Sequence, residues 1–440
     1  MSTDMLSKMS SLKTFLPFLS ICFQVGTAAP FLPVSDPGNE GGWELIEGVS
    51  DEFNGDTLDT SKWHNLGSNG DYLGEWKGRA PSQYSADNVS VSGGKLIIAS
   101  RWDPDFAFSE TRGSNGLSYG KPAPVTTAAI ISKTKFHYGY MEMRCRAADG
   151  PVSSSFWTTG KGGEIDVFEH FGNNPDNPSS AYRYHTSFHD WRKGSTSFGQ
   201  RIWTSDHTLN YRVADDFHVY GLEWDPDFLR IYADGKLIYG VTRQELGDQW
   251  VAVNEQKIWI DSETFDWEIA PAKLKASDFG EKSKFVIDYC RVWKRSKPSS
   301  GLKPRKNLLA NSSFEDGLEG WNGEGTSSKN AHSGQSAAAL ETSGKVQQTV
   351  NVKPNTTYVL SAWAMSPDTN EKNLWFKSYL NVASYGGPKV GTQFFMPGYH
   401  RKSLQFTTGP ESRTATIFIT NQPQGKRSIF DTFELFEATK

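Results

Sequence analysis

The chain has 440 residues, and 46 Lys and Arg against 50 Asp and Glu give it a formal net charge of −4. Because neither charge type dominates, the composition argues against a protein that binds nucleic acid or a membrane surface through its overall charge. Hydrophobic residues make up 37% and charged residues 22%, with 41 Gly and 21 Pro, which excludes collagen and outright disorder and indicates a globular chain rich in turns.

The N-terminus has the pattern of a secretory signal peptide. Lys8 and Lys13 precede an apolar run at 15–25, and small residues follow at 26–29. The pattern predicts a leader over residues 1–29 and a secreted, extracellular protein. A short membrane anchor is the alternative, but the run is well below the ~20 apolar residues that span a bilayer.

Cysteine usage is sparse. Cys22 falls in the predicted leader, which leaves Cys145 and Cys290, too few for a disulfide framework. These two residues can form one bridge or remain two buried thiols. We favour thiols, because both residues lie in strand-like segments with alternating apolar side chains.

From Trp43 onward the chain has the pattern of short strands broken by turns, with almost no amphipathic helical windows. Strand-like runs lie at 89–100, 126–136, 138–147, 217–240 and 284–295. The pairs Gly93-Gly94 and Asp234-Gly235 stand where hairpins turn. Many short strands over about 250 residues predict an all-β fold, with one large β-sandwich over 36–295 rather than a string of small domains.

The segment 296–306 separates two regions. It is polar, rich in Pro, Ser and Lys and without periodicity, which is typical of a linker. After it, residues 307–440 return to strongly alternating runs, which predict a second, smaller β-sandwich. No internal repeat relates the two regions.

The strongest chemical signal is the segment GEIDVFEH at 163–170, which places three carboxylates in an apolar strand. Side chains alternate along a strand, so Glu164 and Asp166 share one face. Glu169 would fall on the other face, and a single β-bulge at Val167-Phe168 brings it back. Three acids crowded on one face repel each other, which indicates a site that uses them.

This arrangement fits the double displacement of a retaining glycosidase. With the bulge, Glu164 and Glu169 lie ~13 Å apart between Cα atoms, and inward-leaning side chains would approach the roughly 5–5.5 Å of a retaining enzyme. We predict Glu164 as the nucleophile, Glu169 as an acid/base whose pKa neighbouring charge raises, and Asp166 as the residue that orients Glu164. A solvated acidic strand or a Ca²⁺ site is the alternative, although calcium usually takes its ligands from loops.

The motif EIDVFE, preceded by Ser155-Phe156-Trp157 and by the strand at 138–142, resembles glycoside hydrolase family 16, whose members are mostly retaining endo-β-glycanases. The resemblance covers about residues 40–295. It implies a jelly-roll sandwich with an open cleft on its concave face. It also implies that the family's nucleophile, assisting Asp and acid/base correspond to Glu164, Asp166 and Glu169.

Shorter motifs resemble one branch of that family. Residues 76–81, 83–85 and 259–263 look like the members that act on red-algal galactans, namely β-agarases, β-porphyranases and some carrageenan-type hydrolases. The laminarinase branch usually has Met where this chain has Phe168, and the lichenase branch lacks that bulge residue. The branch motif makes Glu263 a candidate for substrate binding, and the particular galactan and its sulfation stay open.

Aromatic residues reach 13% of the chain, more than a core of this size needs, and sugar rings stack on Trp. A Gly-rich stretch between Trp157 and Glu164 predicts a hairpin that returns the chain beside the carboxylates. Further candidates for contact with sugar rings, hydroxyl groups or sulfate are Trp76, Arg79, His185, His189, Trp191 and Arg192. The alternatives are core packing for each Trp, surface ion pairs for the arginines and core hydrogen bonds for the histidines.

No metal or other cofactor is expected, because His189-Asp190 has no second ligand pair at suitable spacing. The C-terminal region opens with Asn307-Leu308-Leu309, Phe314-Glu315 and Trp321 and resembles jelly-roll carbohydrate-binding modules. Its candidate stacking residues are Trp363, Trp375 and Tyr385. A purely structural sandwich is the alternative.

The sequence therefore predicts a secreted, monomeric endo-hydrolase that cleaves β-linked galactans with retention. Its partner is a polysaccharide, without nucleic acid or membrane. One alternative keeps the site but transfers the glycosyl group to sugar acceptors instead of water. The other is a lectin-like protein without catalysis, against which the presence of all three acids argues.

Overall fold

The computed structural model describes residues 31–438 except 75, 196–199, 247–248, 298–305, 369–376, 395–397 and 423–425. The predicted leader at 1–29, most of the predicted linker and Trp375 lie outside the described residues. Within them, no helix has both the length and the apolar character that a membrane-crossing segment requires.

Strands form nearly all the regular structure up to residue 295, because β-branched and aromatic residues alternate with polar ones in short runs. They are β1 (Trp43–Leu45), β2 (Trp63–Asn65), β3 (Gln83–Tyr84), β4 (Val89–Val91), β5 (Leu96–Ala99), β6 (Arg101–Trp102), β7 (Val125–Thr127), β8 (Ala129–Ser132), β9 (Gly139–Arg146), β10 (Ser154–Gly160), β11 (Gly163–His170), β12 (Arg183–Asp190), β13 (Gln200–Thr208), β14 (His218–Trp224), β15 (Phe228–Ala233), β16 (Lys236–Thr242), β17 (Gln256–Asp261) and β18 (Lys284–Arg295). Helical structure in the described ranges is limited to α1 (Arg243–Leu246) and short 3-10 turns.

Two antiparallel sheets pack face to face as the larger sandwich. One has the strand order β16-β15-β14-β9-β18-β5-β4, with β1 also paired to β18, and the other runs β2-β8-β17-β10-β11-β12-β13. A single apolar core lies between them, to which β9 contributes Met141 and Met143, β14 Leu222, and β11 Ile165 and Phe168. The core therefore positions β11 in the middle of the second sheet, with the opposite face of that strand turned away from the core.

The predicted turns and thiols agree with this architecture. Strands β4 and β5 pair across Gly93-Gly94, and β15 and β16 pair across Asp234-Gly235. Gly235 has a φ of 72°, a left-handed conformation that glycine adopts without steric cost. Cys145 and Cys290 are free and buried on the neighbouring strands β9 and β18, which is the thiol alternative that the sequence favoured.

The C-terminal region forms a second, smaller sandwich, as predicted. Its strands are β19 (Asn322–Gly323), β20 (Thr326–Ser328), β21 (Ala337–Leu340), β22 (Lys345–Asn351), β23 (Thr357–Met365), β24 (Ser378–Ala383), β25 (Val390–Phe394), β26 (His400–Thr407), β27 (Thr414–Asn421) and β28 (Ser428–Glu437). One sheet has the order β19-β22-β27-β24-β25 and the other β26-β23-β28-β21-β20. Leu360, Phe406 and Ile417 lie in the core between them.

Two of the three predicted stacking residues of this region, Trp363 and Tyr385, are described, and neither is an exposed platform. Tyr385 is only 3% exposed and belongs to the core, so its prediction as a sugar platform was wrong. The neighbouring sequence combines a strand pattern with turn residues, and such a pattern does not reveal whether the Tyr385 ring points into the core. Trp363 is half-buried and stacks on His332 with ring centroids 4.0 Å apart.

The two sandwiches share a sheet. Strand β13 of the first pairs in parallel with β26 of the second, so one twelve-stranded sheet runs through both. Across this junction Arg401 donates from Nη1 to the Gly240 carbonyl at 3.1 Å, and Val359 and Phe436 pack into the core of the first sandwich. The sequence does not predict the junction, because strand patterns do not reveal which edge strands pair.

Two fully buried histidines make the fold sensitive to acid. His207 on β13 lies with Nδ1 2.7 Å from the Ser403 hydroxyl, and His170 donates from Nδ1 to the Arg183 carbonyl at 3.1 Å. Among the described residues, no hydrogen-bond partner meets Nε2 of either ring, so a proton there would be buried without an acceptor. Burial therefore lowers the pKa of His170 from 6.5 to about 4 and that of His207 to about 3.

We expect the free energy of unfolding to fall as the pH drops from about 6.5 towards 4. In this window the unfolded chain binds protons that the two folded histidines do not bind, so stability rises with pH. Each histidine should cost on the order of 3 kcal/mol at pH 4, and His207→Asn or His170→Asn should flatten the dependence. Urea unfolding at several pH values tests this, and parallel curves for parent and variants would contradict it.

Candidate active site

The three acidic residues of β11 lie on one face because the strand carries a bulge. The three steps from Asp166 to Glu169 on β11 match only two steps on β12. The extra residue lies at Val167-Phe168, where the sequence predicted it, and both side chains are buried in the core. Glu164, Asp166 and Glu169 consequently line one cleft with a volume of about 640 Å³.

Strand β12 places a polar side chain opposite each carboxylate. In register, Glu164 faces His189, Asp166 faces Ser187, and Glu169 faces His185. The Ser187 hydroxyl donates to Asp166. His189 Nε2 lies 3.2 Å from Asp166 Oδ2 and 3.8 Å from Glu164 Oε1, and His185 Nε2 lies 3.9 Å from Glu169 Oε2. Ser187 and His189 thus both contact Asp166.

The environments of Glu164 and Asp166 move their pKa values in opposite directions. Burial and then the charge of Asp166 raise the pKa of Glu164 well above its ordinary value, against a hydrogen bond of 3.1 Å from Trp191 Nε1. Burial would also raise the pKa of Asp166, but hydrogen bonds from His189 and Ser187 hold it below the ordinary value. Glu164 therefore binds a proton before Asp166 does, and its carboxylate is the more basic of the two.

Aromatic rings wall the cleft. Trp157, on the strand next to β11, stacks on Trp259 of β17 with ring centroids 4.6 Å apart and an interplanar angle of 22°. Trp191 is 41% exposed and Trp267 is 57% exposed. Exposed flat rings beside the three carboxylates suit the apolar C–H faces of sugar rings.

Arg79 is held at one wall by rings and a carboxylate. Its guanidinium carbon lies 4.8 Å from the ring centroid of Phe265 and 4.9 Å from that of Trp267, and its Nε lies 3.4 Å from Glu263 Oε2. Burial acts to lower the pKa of Arg79, but the charges of Glu263 and then Glu169 outweigh it and raise that pKa above its ordinary value. The cleft thus contains a permanent cation near its acids.

The Tyr84 hydroxyl joins two further acids, at 2.7 Å from Glu263 Oε1 and 2.9 Å from Asp261 Oδ2. Burial and then the charge of Glu263 raise the pKa of Asp261 well above its usual range. Burial also raises the pKa of Glu263, although Arg79 acts in the other direction. Tyr84 therefore links Asp261 to the carboxylate that pairs with Arg79.

The structure brings nearly all the predicted site residues together. Those that line the cleft are Glu164, Asp166, Glu169, Trp76, Arg79, Trp157, His185, His189, Trp191 and Glu263. Arg192 is not among the lining residues, and its guanidinium makes two hydrogen bonds of 2.9 Å with Asp190. Because Asp190 is buried, this pair anchors the end of β12 beside the cleft.

Some lining residues were not predicted as contacts. They include Phe171, Ser187, Trp259, Asp261, Phe265 and Trp267. Ser187 lies between His185 and His189 on β12, so the two-residue period of a strand applied along the whole segment would have found it. Trp267 and Phe171 lie in loops, where no periodicity reveals the direction of a side chain.

Three side chains lie close enough to hold a cation. Glu164, Asp166 and His189 offer ligand atoms within 4.8 Å of one another. The hydrogen bonds among these groups and Ser187 already account for their proximity. We therefore assign no metal to them.

Comparison with known proteins identifies both regions. Residues 43–295 match the family described as beta-porphyranase A-D, GH16 domain, and residues 306–426 match a carbohydrate binding domain family. Beta-porphyranase B of Phocaeicola plebeius is 30% identical over 283 residues, 57% of this chain and 84% of that protein. Beta-agarase A of Zobellia galactanivorans is 30% identical over 292 residues, 61% of this chain and 50% of that protein.

Among solved structures, the catalytic domain of PdAgaC has the same fold. It superimposes with a TM-score of 0.52 at 21% identity, covering 63% of this chain and 100% of that one. The family match extends over more than half of the chain and confirms the family that the motif at 164–169 resembled. The chain therefore belongs to glycoside hydrolase family 16 and carries a C-terminal domain of a carbohydrate-binding family.

Proposed function

We propose that the protein is a secreted endo-acting hydrolase that cleaves β-linkages in a red-algal galactan with retention of configuration. The observation that carries the proposal is the shared face of Glu164, Asp166 and Glu169 in a cleft walled by aromatic rings. Its similarity to a beta-porphyranase and a beta-agarase supports a galactan as the substrate. A galactan is a large polysaccharide that an enzyme meets outside the cell, which agrees with the predicted leader.

In the proposed first step, the Glu164 carboxylate attacks the anomeric carbon. The bond from that carbon to the glycosidic oxygen breaks, and Glu169 gives its proton to the departing oxygen. In the second step Glu169 takes a proton from water, which attacks the same carbon and releases Glu164. The two acids stand opposite residues of β12 that are four positions apart, ~13 Å along the strand, so their inward-leaning side chains can flank one glycosidic bond.

Asp166 would act through Glu164. Its low pKa, maintained by His189 and Ser187 against burial, keeps a negative charge beside the nucleophile. Burial is the larger cause of the raised pKa of Glu164, and the charge of Asp166 is the second. A more basic carboxylate is a stronger nucleophile once it is ionised. The Trp191 indole donates to Glu164 at 3.1 Å and orients the attacking group.

Porphyran-type galactan is the favoured substrate within this class. It carries sulfate esters, and Arg79 lines the cleft with a guanidinium that stays positively charged. Arginine can bind an oxyanion through two parallel hydrogen bonds. The C-terminal domain would bind the same polysaccharide, and the protein would act as a monomer.

The identities of the nucleophile and the acid/base can be tested with azide. On an aryl β-galactoside with a good leaving group, Glu164→Ala should lose at least about 10⁴-fold in kcat, because no covalent intermediate forms. Azide should rescue it to the α-glycosyl azide. Glu169→Ala should retain glycosylation and give the β-glycosyl azide, because the anion then attacks the intermediate held on Glu164.

Glu44→Ala serves as the matched control, because Glu44 is an exposed glutamate on β1 that pairs with Lys294 at 2.8 Å. It should keep parental activity. NMR of the azide products measures their stereochemistry. Exchange of the two products between the variants would mean that the two roles are reversed, and an inverted product from the parent would exclude double displacement.

Substrate charge is tested at Arg79. We expect Arg79→Ala to lower kcat/KM on porphyran by a factor that corresponds to about 1.5–3 kcal/mol, the range for a charged hydrogen bond, and to affect agarose less. Arg212→Ala is the control, because Arg212 pairs with Asp149 at 2.7 Å and is not a lining residue of the cleft. Equal losses on native and desulfated polymer would make Arg79 a structural or hydroxyl-binding residue.

A further inference from the structure

A row of polar side chains crosses the shared sheet from the cleft into the second sandwich. Glu169 on β11 stands opposite His185 on β12, His185 opposite Asp206 on β13, and Asp206 opposite Lys402 on β26. Residues directly opposite on neighbouring strands lie on the same face of a sheet. The row therefore runs along the cleft face and ends beside Ala362 of β23.

The contacts in the row are directional. Lys402 Nζ donates to Asp206 Oδ2, and His185 Nδ1 donates to Asp206 Oδ1. A carboxylate only accepts, so this contact keeps the proton of a neutral His185 ring on Nδ1. The other nitrogen, Nε2, lies 3.9 Å from Glu169 Oε2. In the neutral ring, the unprotonated nitrogen therefore faces the carboxyl that is proposed to donate a proton.

We propose that Lys402 of the C-terminal domain is a positioning residue for the reaction, because it neutralises Asp206 and so keeps His185 uncharged beside Glu169. The inference rests on the proposed role of Glu169 as the acid/base. A neutral ring leaves Glu169 able to hold the proton that it gives to the leaving oxygen. Without Lys402, Asp206 would draw a second proton onto His185, and the imidazolium would favour ionised Glu169, which has no proton to give.

This ion pair is one of several contacts across the junction. Lys402 is 4% exposed and Asp206 is 8% exposed, and a buried ion pair gains little net stability because both charges lose hydration. Other contacts already join the sandwiches, including the hydrogen bond from Lys236 Nζ to Thr357 Oγ1 at 3.3 Å. Burial would raise the pKa of Asp206, but Lys402 and His185 hold it well below its usual range.

Other charged groups face the row and must stay constant in a test. They are Arg79 near Glu169, Asp166 near His185, and Arg183 near Asp206, with Glu268 at 2.5 Å from Arg183. None of these side chains is changed in the variants below, so a shift in the behaviour of His185 reports on Asp206 and Lys402.

The first test is the pH dependence of kcat/KM in the full-length protein. On a galactan oligosaccharide, Lys402→Gln should move the basic limb of the profile down by about one pH unit, while Lys402→Arg keeps it in place. An aryl galactoside that needs little acid assistance should be affected much less. Lys236→Gln, which removes another contact of the junction, is the matched control and should leave the profile unchanged.

The second test reads the charge of His185 without any substrate. Histidine side-chain NMR, assigned with a His185→Gln variant, should show that Lys402→Gln raises the pKa of His185, whereas Asp206→Asn should lower it. A loss of packing would not shift the pKa of His185 in opposite directions in the two variants. If Lys402→Gln does not fold, the titration of His185 in Asp206→Asn still tests the proposal. An unmoved pKa of His185 in either folded variant would overturn the proposal.

The two tests separate the inference from the proposed function. A parent protein that cleaves no galactan would overturn the proposed function, while the NMR titration would still decide whether Lys402 controls His185. Conversely, an active parent with the same basic limb in Lys402→Gln, Lys402→Arg and Lys236→Gln would leave the proposed function intact and remove Lys402 from the mechanism.

Discussion

The β-bulge at Val167-Phe168 is the constraint on which the rest of the site depends. Without the extra residue, Glu169 would lie on the opposite face of the sheet from Glu164 and Asp166. A bulge disturbs the ladder of backbone hydrogen bonds, and the core compensates for this one. The Tyr184 hydroxyl donates to the Val167 carbonyl at 2.6 Å, and the Phe168 ring stacks on Tyr220 with centroids 3.8 Å apart. Aromatic packing behind the sheet thus maintains the order of acids in front of it.

Once the acids share a face, the neighbouring strands give each of them a different environment. Strand β12 directs two hydrogen bonds at Asp166 and only a longer contact from His189 at Glu164. Ser187 and His189 share one face of β12, and both donate hydrogen bonds to Asp166. The carboxyls of Asp166 and Glu164 therefore differ in pKa although they are chemically similar. Glu169 lies at the other end of the row of acids, opposite His185. His185 in turn stands opposite Asp206 of β13, and Asp206 opposite Lys402 of the C-terminal domain. The electrostatics of the site thus extend over several strands.

The parts of the site that the sequence predicted are those that depend on local rules. The alternation of a strand, one bulge and a Gly-rich hairpin were enough to bring Glu164, Asp166, Glu169 and Trp157 into one cleft. Arg192 shows the limit, because its partner Asp190 is two residues away and a strand pattern does not reveal an ion pair with a buried neighbour. Lys402 could not be predicted at all, since it meets Asp206 only through the pairing of two edge strands nearly 200 residues apart.

The same pairing changes what the C-terminal domain contributes. Within the described residues, every exposed large hydrophobic side chain lies before residue 307, and two of them, Trp191 and Trp267, line the cleft. A cavity of about 320 Å³ contains His400 and Lys402 of the second sandwich, and it shares His185 and Trp267 with the cleft. A domain on a flexible tether raises only the local concentration of substrate, whereas a domain fixed by a shared sheet holds its groups at a set distance from the acids. Under the proposed function, this arrangement lets the C-terminal domain act on catalysis as well as on binding.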